Sequence, residues 1–233
     1  MKKFRFWLII ALPLVAISCK KDEGTPAPAT VTYLNIASGN VWNFELTKNV
    51  STAPAVSTYS LTSSTTDTTI NARQYHIFNR STGDKEYFYI TGNDYYEYLI
   101  LPFLDTIKTE NLYLKSGANA GDNWTQNVAP ITYSGITANL SKSDTVIEKG
   151  LTKIVKGITY TDVVRVRGGL KILSISFPGL SPTLTSVLDN YYAPKVGKIY
   201  SYIKLRLQLN SPLLPAPIDQ TFENKTELVS TNF

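Results

Sequence analysis

Apolar and polar side chains alternate with a period of two through much of this 233-residue chain. The clearest run is Ile199-Tyr200-Ser201-Tyr202-Ile203-Lys204-Leu205-Arg206-Leu207-Gln208-Leu209. Ile199, Ile203, Leu205, Leu207 and Leu209 share one face of a strand, and Tyr200, Tyr202, Lys204, Arg206 and Gln208 share the other. Eleven residues at about 3.3 Å each span roughly 36 Å, beyond the usual strand of about 17–20 Å. Strands of that length suit large curved sheets and barrels better than compact sandwiches. Other runs agree: Trp42, Phe44 and Leu46 alternate with Asn43 and Glu45 after a Gly39-Asn40 turn. Gln74–Ser81, Glu86–Thr91 and Tyr95–Leu101 form a three-strand meander joined by Thr82-Gly83-Asp84 and Gly92-Asn93-Asp94. Tyr160–Arg167 predicts a strand with Val164 and Val166 inward and Arg165 and Arg167 outward, turned by Gly168-Gly169 into Lys171–Phe177. A last strand is predicted over Thr221–Val229. Ser181-Pro182-Thr183 reads as the cap of a short helix carrying Leu184, Val187 and Leu188 at i, i+3 and i+4. The expectation is an all-β domain: one large antiparallel curved sheet, half-barrel or barrel, with long strands and at most one or two short helices.

The first thirty residues follow another pattern. Lys2, Lys3 and Arg5 precede an apolar stretch from Phe6 to Ile17 broken only by Pro13, and the run Val15-Ala16-Ile17-Ser18-Cys19 closes it with the chain's single cysteine. Twelve residues rise about 18 Å as a helix, short of the roughly 30 Å hydrocarbon core, which disfavours a transmembrane helix. The run resembles the lipobox of bacterial lipoproteins. That resemblance implies cleavage between Ser18 and Cys19 and acylation of Cys19, with residues 1–18 a signal peptide. Lys20-Lys21-Asp22-Glu23 and then Gly24-Thr25-Pro26-Ala27-Pro28-Ala29-Thr30 follow as an extended tether, leaving residues 31–233 as a single β domain. Lys20, Lys21, Asp22 and Glu23 have two readings: a solvated spacer, or an export signal like those of Gram-negative bacteria that display lipoproteins on their outer face. The expected location is the outer membrane, lipid-anchored and facing outward.

Composition sharpens this picture. Removing Lys2, Lys3 and Arg5 lowers the formal charge from +5 to +2, so the basic balance lies partly in the signal and does not point to nucleic acid. Thr, Ser, Tyr, Val and Ile dominate the domain, as pleated half-buried surfaces favour. Without a cysteine after residue 19, its stability rests on its core. A loose internal grammar recurs in Gly39-Asn40-Val41-Trp42, Gly121-Asp122-Asn123-Trp124 and Gly197-Lys198-Ile199-Tyr200, each a glycine turn delivering an aromatic three residues on. These segments, with Thr159-Tyr160-Thr161-Asp162-Val163-Val164-Arg165-Val166 and Tyr191-Tyr192-Ala193-Pro194-Lys195-Val196-Gly197-Lys198-Ile199 in this order, resemble the TapB-like group of uncharacterised secreted and lipid-anchored β domains. That group is similar in turn to LolA-type half-barrels, which carry lipid or lipoprotein in a concave apolar groove. The resemblance implies a fold and a compartment, and no catalytic residues.

Candidate chemistry is sparse. His76 is the only histidine, and it reads as a surface or satisfied core residue ahead of a metal ligand. No serine sits in a Gly-x-Ser-x-Gly elbow. Asp94 with Glu97, or Glu223 with Glu227, would be the carboxylate pairs of a glycosidase, but solvated faces explain them more simply. No catalytic, metal or cofactor set is assigned, and a non-enzymatic role is expected. Nine of the fifteen tyrosines cluster in Tyr87-Phe88-Tyr89, Tyr95-Tyr96-Glu97-Tyr98, Tyr191-Tyr192 and Tyr200/Tyr202. They read as cross-strand pairs or as a platform for lipid, glycan or another outer-membrane protein, with Tyr200, Tyr202, Lys204 and Arg206 as a ligand face with a cationic end. Asp67-Thr68-Thr69, Asp105-Thr106-Ile107 and Asp144-Thr145-Val146 resemble a bacterial O-glycosylation sequon, with Thr68, Thr106 and Thr145 as acceptors, although Asp-Thr also suits turns. The expected function is a lipid-anchored binding or assembly module. The alternatives are a LolA-like lipid or lipoprotein carrier and a surface glycan-binding accessory protein.

Overall fold

The computed structural model describes residues 31–100, 108–133, 136–176, 179–211 and 218–233. Twelve strands follow one another: β1 (Val41–Lys48), β2 (Ala55–Ile70), β3 (Arg73–Arg80), β4 (Lys85–Thr91), β5 (Asp94–Ile100), β6 (Lys108–Lys115), β7 (Asn123–Tyr133), β8 (Ile136–Val155), β9 (Ile158–Ile175), β10 (Ser181–Ala193), β11 (Gly197–Asn210) and β12 (Ile218–Thr231). All pair antiparallel in a single sheet of order β6-β5-β4-β3-β2-β1-β12-β11-β10-β9-β8-β7. The sheet curls into a nearly closed barrel. Its first and last strands are zipped together, and the two free edges, β6 and β7, meet at a seam. Closure of this kind hides sheet edges that would otherwise invite aggregation.

The all-β expectation holds, and the long alternating run is β11. The meander predicted for residues 74–101 is β3, β4 and β5. Two local expectations are corrected. Residues 181–193 are strand β10, not a capped helix, because β10 is paired along its length with β11 and with β9 through residues 188–192. Leu184 and Leu188, four residues apart, also share one strand face with Ser186 between them, and Thr183, Thr185 and Val187 are β-branched. Nor do Gly168 and Gly169 make a turn: β9 runs straight through them. Gly168 sits in register between Asp144 and Leu188, and a Cβ there would run into the Asp144 carboxylate. The glycine answers close approach, not chain reversal.

Two buried clusters fill the barrel. The larger joins Trp42, Phe78, Tyr95, Tyr113, Leu114, Trp124, Tyr192, Ile199 and Leu228 at the end where β1 and β11 begin. A smaller cluster of Val128, Leu140, Leu170, Leu188 and Leu205 lines strands β7–β11. The recurring glycine-aromatic grammar builds the first cluster. Gly39, Gly121 and Gly197 all adopt positive φ, a conformation open to glycine at little steric cost. Trp42 and Trp124 then drop into the core and donate their indole N–H groups to the carbonyls of Val196 (2.7 Å) and Leu112 (2.9 Å). In the third instance Ile199 takes the buried place and Tyr200 packs edge-on against Tyr191. The segment before β1 is strapped across the same end. Tyr33 N–H donates to the Tyr95 hydroxyl (3.0 Å), and the backbone N–H of Lys195 donates to the Thr32 carbonyl. This strap buries Tyr33 and Leu34.

Candidate functional site

Inward-facing residues of β1–β6, β11 and β12 surround a cavity of about 680 Å³. That size falls in the range of small-molecule sites. Leu34, Trp42, Phe44, Leu61, Phe78 and Phe88 supply its apolar wall. The polar groups are set among aromatics. Tyr59 stacks on Phe44 with centroids 5.2 Å apart, and the Arg80 guanidinium lies 3.6 Å from the centre of the Tyr59 ring. Arg80 also donates to Glu86 at 3.2 Å, while its Nε is buried without a partner. Burial pushes the Glu86 carboxyl above its ordinary range, and the Arg80 and Lys198 charges pull the other way. On the far wall Ser201, Asn224 and Thr226 face the same space.

A second cavity of about 100 Å³ lies deeper along the long strands, walled by Val128, Leu170, Leu188 and Leu205. Glu97, Tyr113, Lys198, Ser201 and Ile203 line both cavities, so the two adjoin around an ion pair, Lys198 Nζ to Glu97 Oε2 at 3.3 Å. Lys142 reaches the smaller cavity and pairs with Asp144, whose other carboxylate oxygen is buried without a partner. Burial raises the Asp144 carboxyl, against the opposing pull of Lys142. The lumen therefore offers an apolar, aromatic surface with a few fixed charges in its middle. That arrangement suits a molecule with one polar and one apolar part.

The predicted ligand face is assembled but occupied by the protein itself. Tyr200, Tyr202, Lys204 and Arg206 project outward from β11, and β12 supplies each of the last three with an acid. The Tyr202 hydroxyl donates to Glu223, Lys204 Nζ lies 3.5 Å from Glu223, and Arg206 makes a paired contact with Asp219. Tyr200 lies under Lys153, whose ammonium is 4.8 Å from the ring centre. Lys153 belongs to the β8–β9 hairpin, which folds over the outside and anchors Lys156 on Glu45 (2.6 Å) and Glu227 (3.6 Å). Sequence alternation placed the four on one face correctly but carried no sign of their partners on β12. Ser51 joins the same knot, donating through its N–H and hydroxyl to Glu223, and with Tyr202 it holds that carboxyl down to about 2. The outer tyrosines of β4 and β5 are likewise covered: the Arg73 guanidinium sits 4.8 Å from Tyr96 and 5.6 Å from Tyr89, and it pairs with Glu110.

His76 turns out to be bracketed. Its Nε2 lies 2.8 Å from Ser63 Oγ and its Nδ1 lies 2.7 Å from Asp67 Oδ1, the connectivity of a Ser-His-Asp triad. The Ser63 hydroxyl is buried, however, and lies 2.8 Å from the Ile36 carbonyl, a bond that ties down the N-terminal strap. None of the three residues lines either cavity. This trio is a structural brace, visible only once β2 bulges between Ser63 and Asp67. Asp94 and Glu97 lie three apart on one strand and so point to opposite faces, whereas Glu223 and Glu227 share a face and are each tied to their own lysine. Among the described residues no group of three or more His, Cys, Asp or Glu side chains is placed to hold a metal ion. Of the sequon acceptors, Thr68 and Thr145 are partly exposed, but Asp144 beside Thr145 is buried. Thr106, Ser18, Cys19 and the tetrad Lys20, Lys21, Asp22, Glu23 lie outside the described residues.

No family model and no curated protein matches the chain. Two solved structures are similar to it. One, described as a putative lipoprotein from Parabacteroides distasonis, is 12% identical, with a TM-score of 0.47 over 87% of this chain and 99% of the other. The second, described as a putative exported protein with a YmcC-like fold from Bacteroides fragilis, is 6% identical, with a TM-score of 0.42 over 88% of this chain and all of the other.

Proposed function

We propose that the chain is a non-enzymatic, outward-facing outer-membrane lipoprotein, held through acylated Cys19, whose barrel lumen binds an amphipathic small molecule. The observation that carries the binding reading is the pair of adjoining cavities. Aromatic and aliphatic walls surround the Arg80–Glu86 and Lys198–Glu97 pairs, and a barrel built only for stability would fill that space with side chains. The outer face favours a platform for glycan much less, because Lys153 and Arg73 already lie over its tyrosines. The location rests on the basic, apolar and small-residue pattern ending at Cys19 and on the charged tether after it. Native mass spectrometry of the lipoprotein purified from membranes tests the binding reading. A bound species of one defined mass, lost from a Thr226→Trp variant with a filled lumen, supports it. An empty protein, or a bound mass that survives the filling, refutes it. Protease shaving of intact cells tests the orientation, and full protection that ends on lysis would refute outward display.

A further inference from the structure

Among the described residues the barrel wall has one join without a ladder. Every other neighbouring pair of strands is held by backbone hydrogen bonds in register, the shortest ladder being the four residue pairs of β3 and β4. At the seam of β6 and β7, side chains do this work instead. The indole N–H of Trp124 donates to the Leu112 carbonyl at 2.9 Å, and the Leu112 N–H donates to Gln126 Oε1 at 2.9 Å. Gln126 Nε2 then donates to Asn111 Oδ1 at 2.7 Å, and Asn111 Nδ2 donates to Glu97 Oε1 at 2.8 Å. Both amides fit in only one orientation, since the carboxylate at one end accepts and the peptide N–H at the other donates. The chain of bonds ends at the Lys198–Glu97 pair, where the two cavities adjoin.

Directly behind this staple lies the smaller cavity, whose lining includes Asn111 and Gln126 themselves. We propose that the β6–β7 seam is a lateral gate for the lumen, latched by Gln126 and Trp124, through which the bound molecule passes; this rests on the lumenal binding reading above. Parting the strands here breaks a few neutral hydrogen bonds to side chains and disturbs the larger core cluster, to which Tyr113, Leu114 and Trp124 belong, but spares every backbone ladder among the described residues. A molecule seated at Lys198 and Glu97 touches the inner end of the same chain, so occupancy and latch are coupled through Glu97.

Stopped-flow mixing of the full lipoprotein in detergent with dansyl-undecanoic acid, a fluorescent amphiphile, tests the gate. Gln126→Ala removes the latch. Its association and dissociation rates should both rise about tenfold, the factor that 1.4 kcal/mol of lost hydrogen bonding corresponds to. Trp124→Phe keeps the core ring, deletes only the indole donor, and should show a smaller rise in both rates. This second variant carries the test if Gln126→Ala fails to fold. Unchanged rates in a folded seam variant, while Thr226→Trp weakens probe binding, would overturn the gate and leave the lumenal site standing. Probe binding insensitive to Thr226→Trp would overturn the lumenal site and the gate with it.

Discussion

Gly168→Ala is the sharpest test of how the lumen is packed. Gly168 lies in mid-strand without a positive φ, where replacing glycine by alanine ordinarily stabilises a strand by about 0.5–1 kcal/mol. Here the new methyl would overlap the Asp144 carboxylate, lie 3.3 Å from the Ser143 carbonyl and 3.4 Å from Leu188 Cβ. Asp144 cannot retreat easily, since it is buried and paired with Lys142. Overpacking in such a site costs about 1–3 kcal/mol, so a net loss of about 1 kcal/mol is expected after the intrinsic gain is offset. For a domain of this size that lowers Tm by about 2–4 °C. Urea unfolding followed by circular dichroism measures it. The decisive comparison is a double-mutant cycle, because in an Asp144→Ala background the methyl enters vacated space and should stabilise by about 0.5 kcal/mol. A coupling of about 1.5 kcal/mol is therefore expected. Gly168→Ala that stabilises the protein, or costs the same in both backgrounds, would refute the packing account.

Three further outcomes follow from the geometry. Glu223 has its carboxyl lowered from 4.5 to about 2 by Ser51 and Tyr202, so its contribution is whole above pH 4.5 and fades as pH falls toward 2. Acid titration of stability should accordingly lose less in Glu223→Gln than in the wild type over that window, and parallel curves would contradict it. Because the Ser63 hydroxyl is buried against Ile36, a fluorophosphonate probe should leave the folded protein unmodified; stoichiometric labelling at Ser63 would make the His76 brace a catalytic triad. Metabolic labelling with an alkyne palmitate analogue should mark the wild type and miss Cys19→Ala, and a labelled variant would exclude Cys19 as the anchor.

Much of the wall was legible in sequence because a half-buried strand writes its own period. β11 announced itself through Ile199, Ile203 and Leu205, and the Gly-x-x-Trp pairs foretold which aromatics enter the core. Legibility failed where tertiary contact overrode local signal. Leu184, Val187 and Leu188 fit a helix equally well until β9 and β11 fix them as strand, and Gly168-Gly169 reads as a turn until Asp144 is seen beside it. The candidate site was hidden for a related reason. Glu97, Lys198 and Gln126 come from three distant segments, and each alone is an ordinary polar residue. Only closure of the barrel brings the chain Lys198–Glu97–Asn111–Gln126 together. Conversely, the charges of Lys204 and Arg206 looked free because Glu223 and Asp219 lie on the neighbouring strand.

The lumen, not the outer face, is proposed to hold the ligand. Equilibrium titration of the lipoprotein with dansyl-undecanoic acid tests it most directly, comparing wild type with Thr226→Trp, which fills the cavity beside Phe44 and Phe222, and with Tyr96→Ala on the outer tyrosine cluster. Saturable one-to-one binding, weakened at least about tenfold (about 1.4 kcal/mol) by Thr226→Trp and unaffected by Tyr96→Ala, is the expected result. Binding lost on Tyr96→Ala and kept on Thr226→Trp would contradict the account and move the site to the outer face.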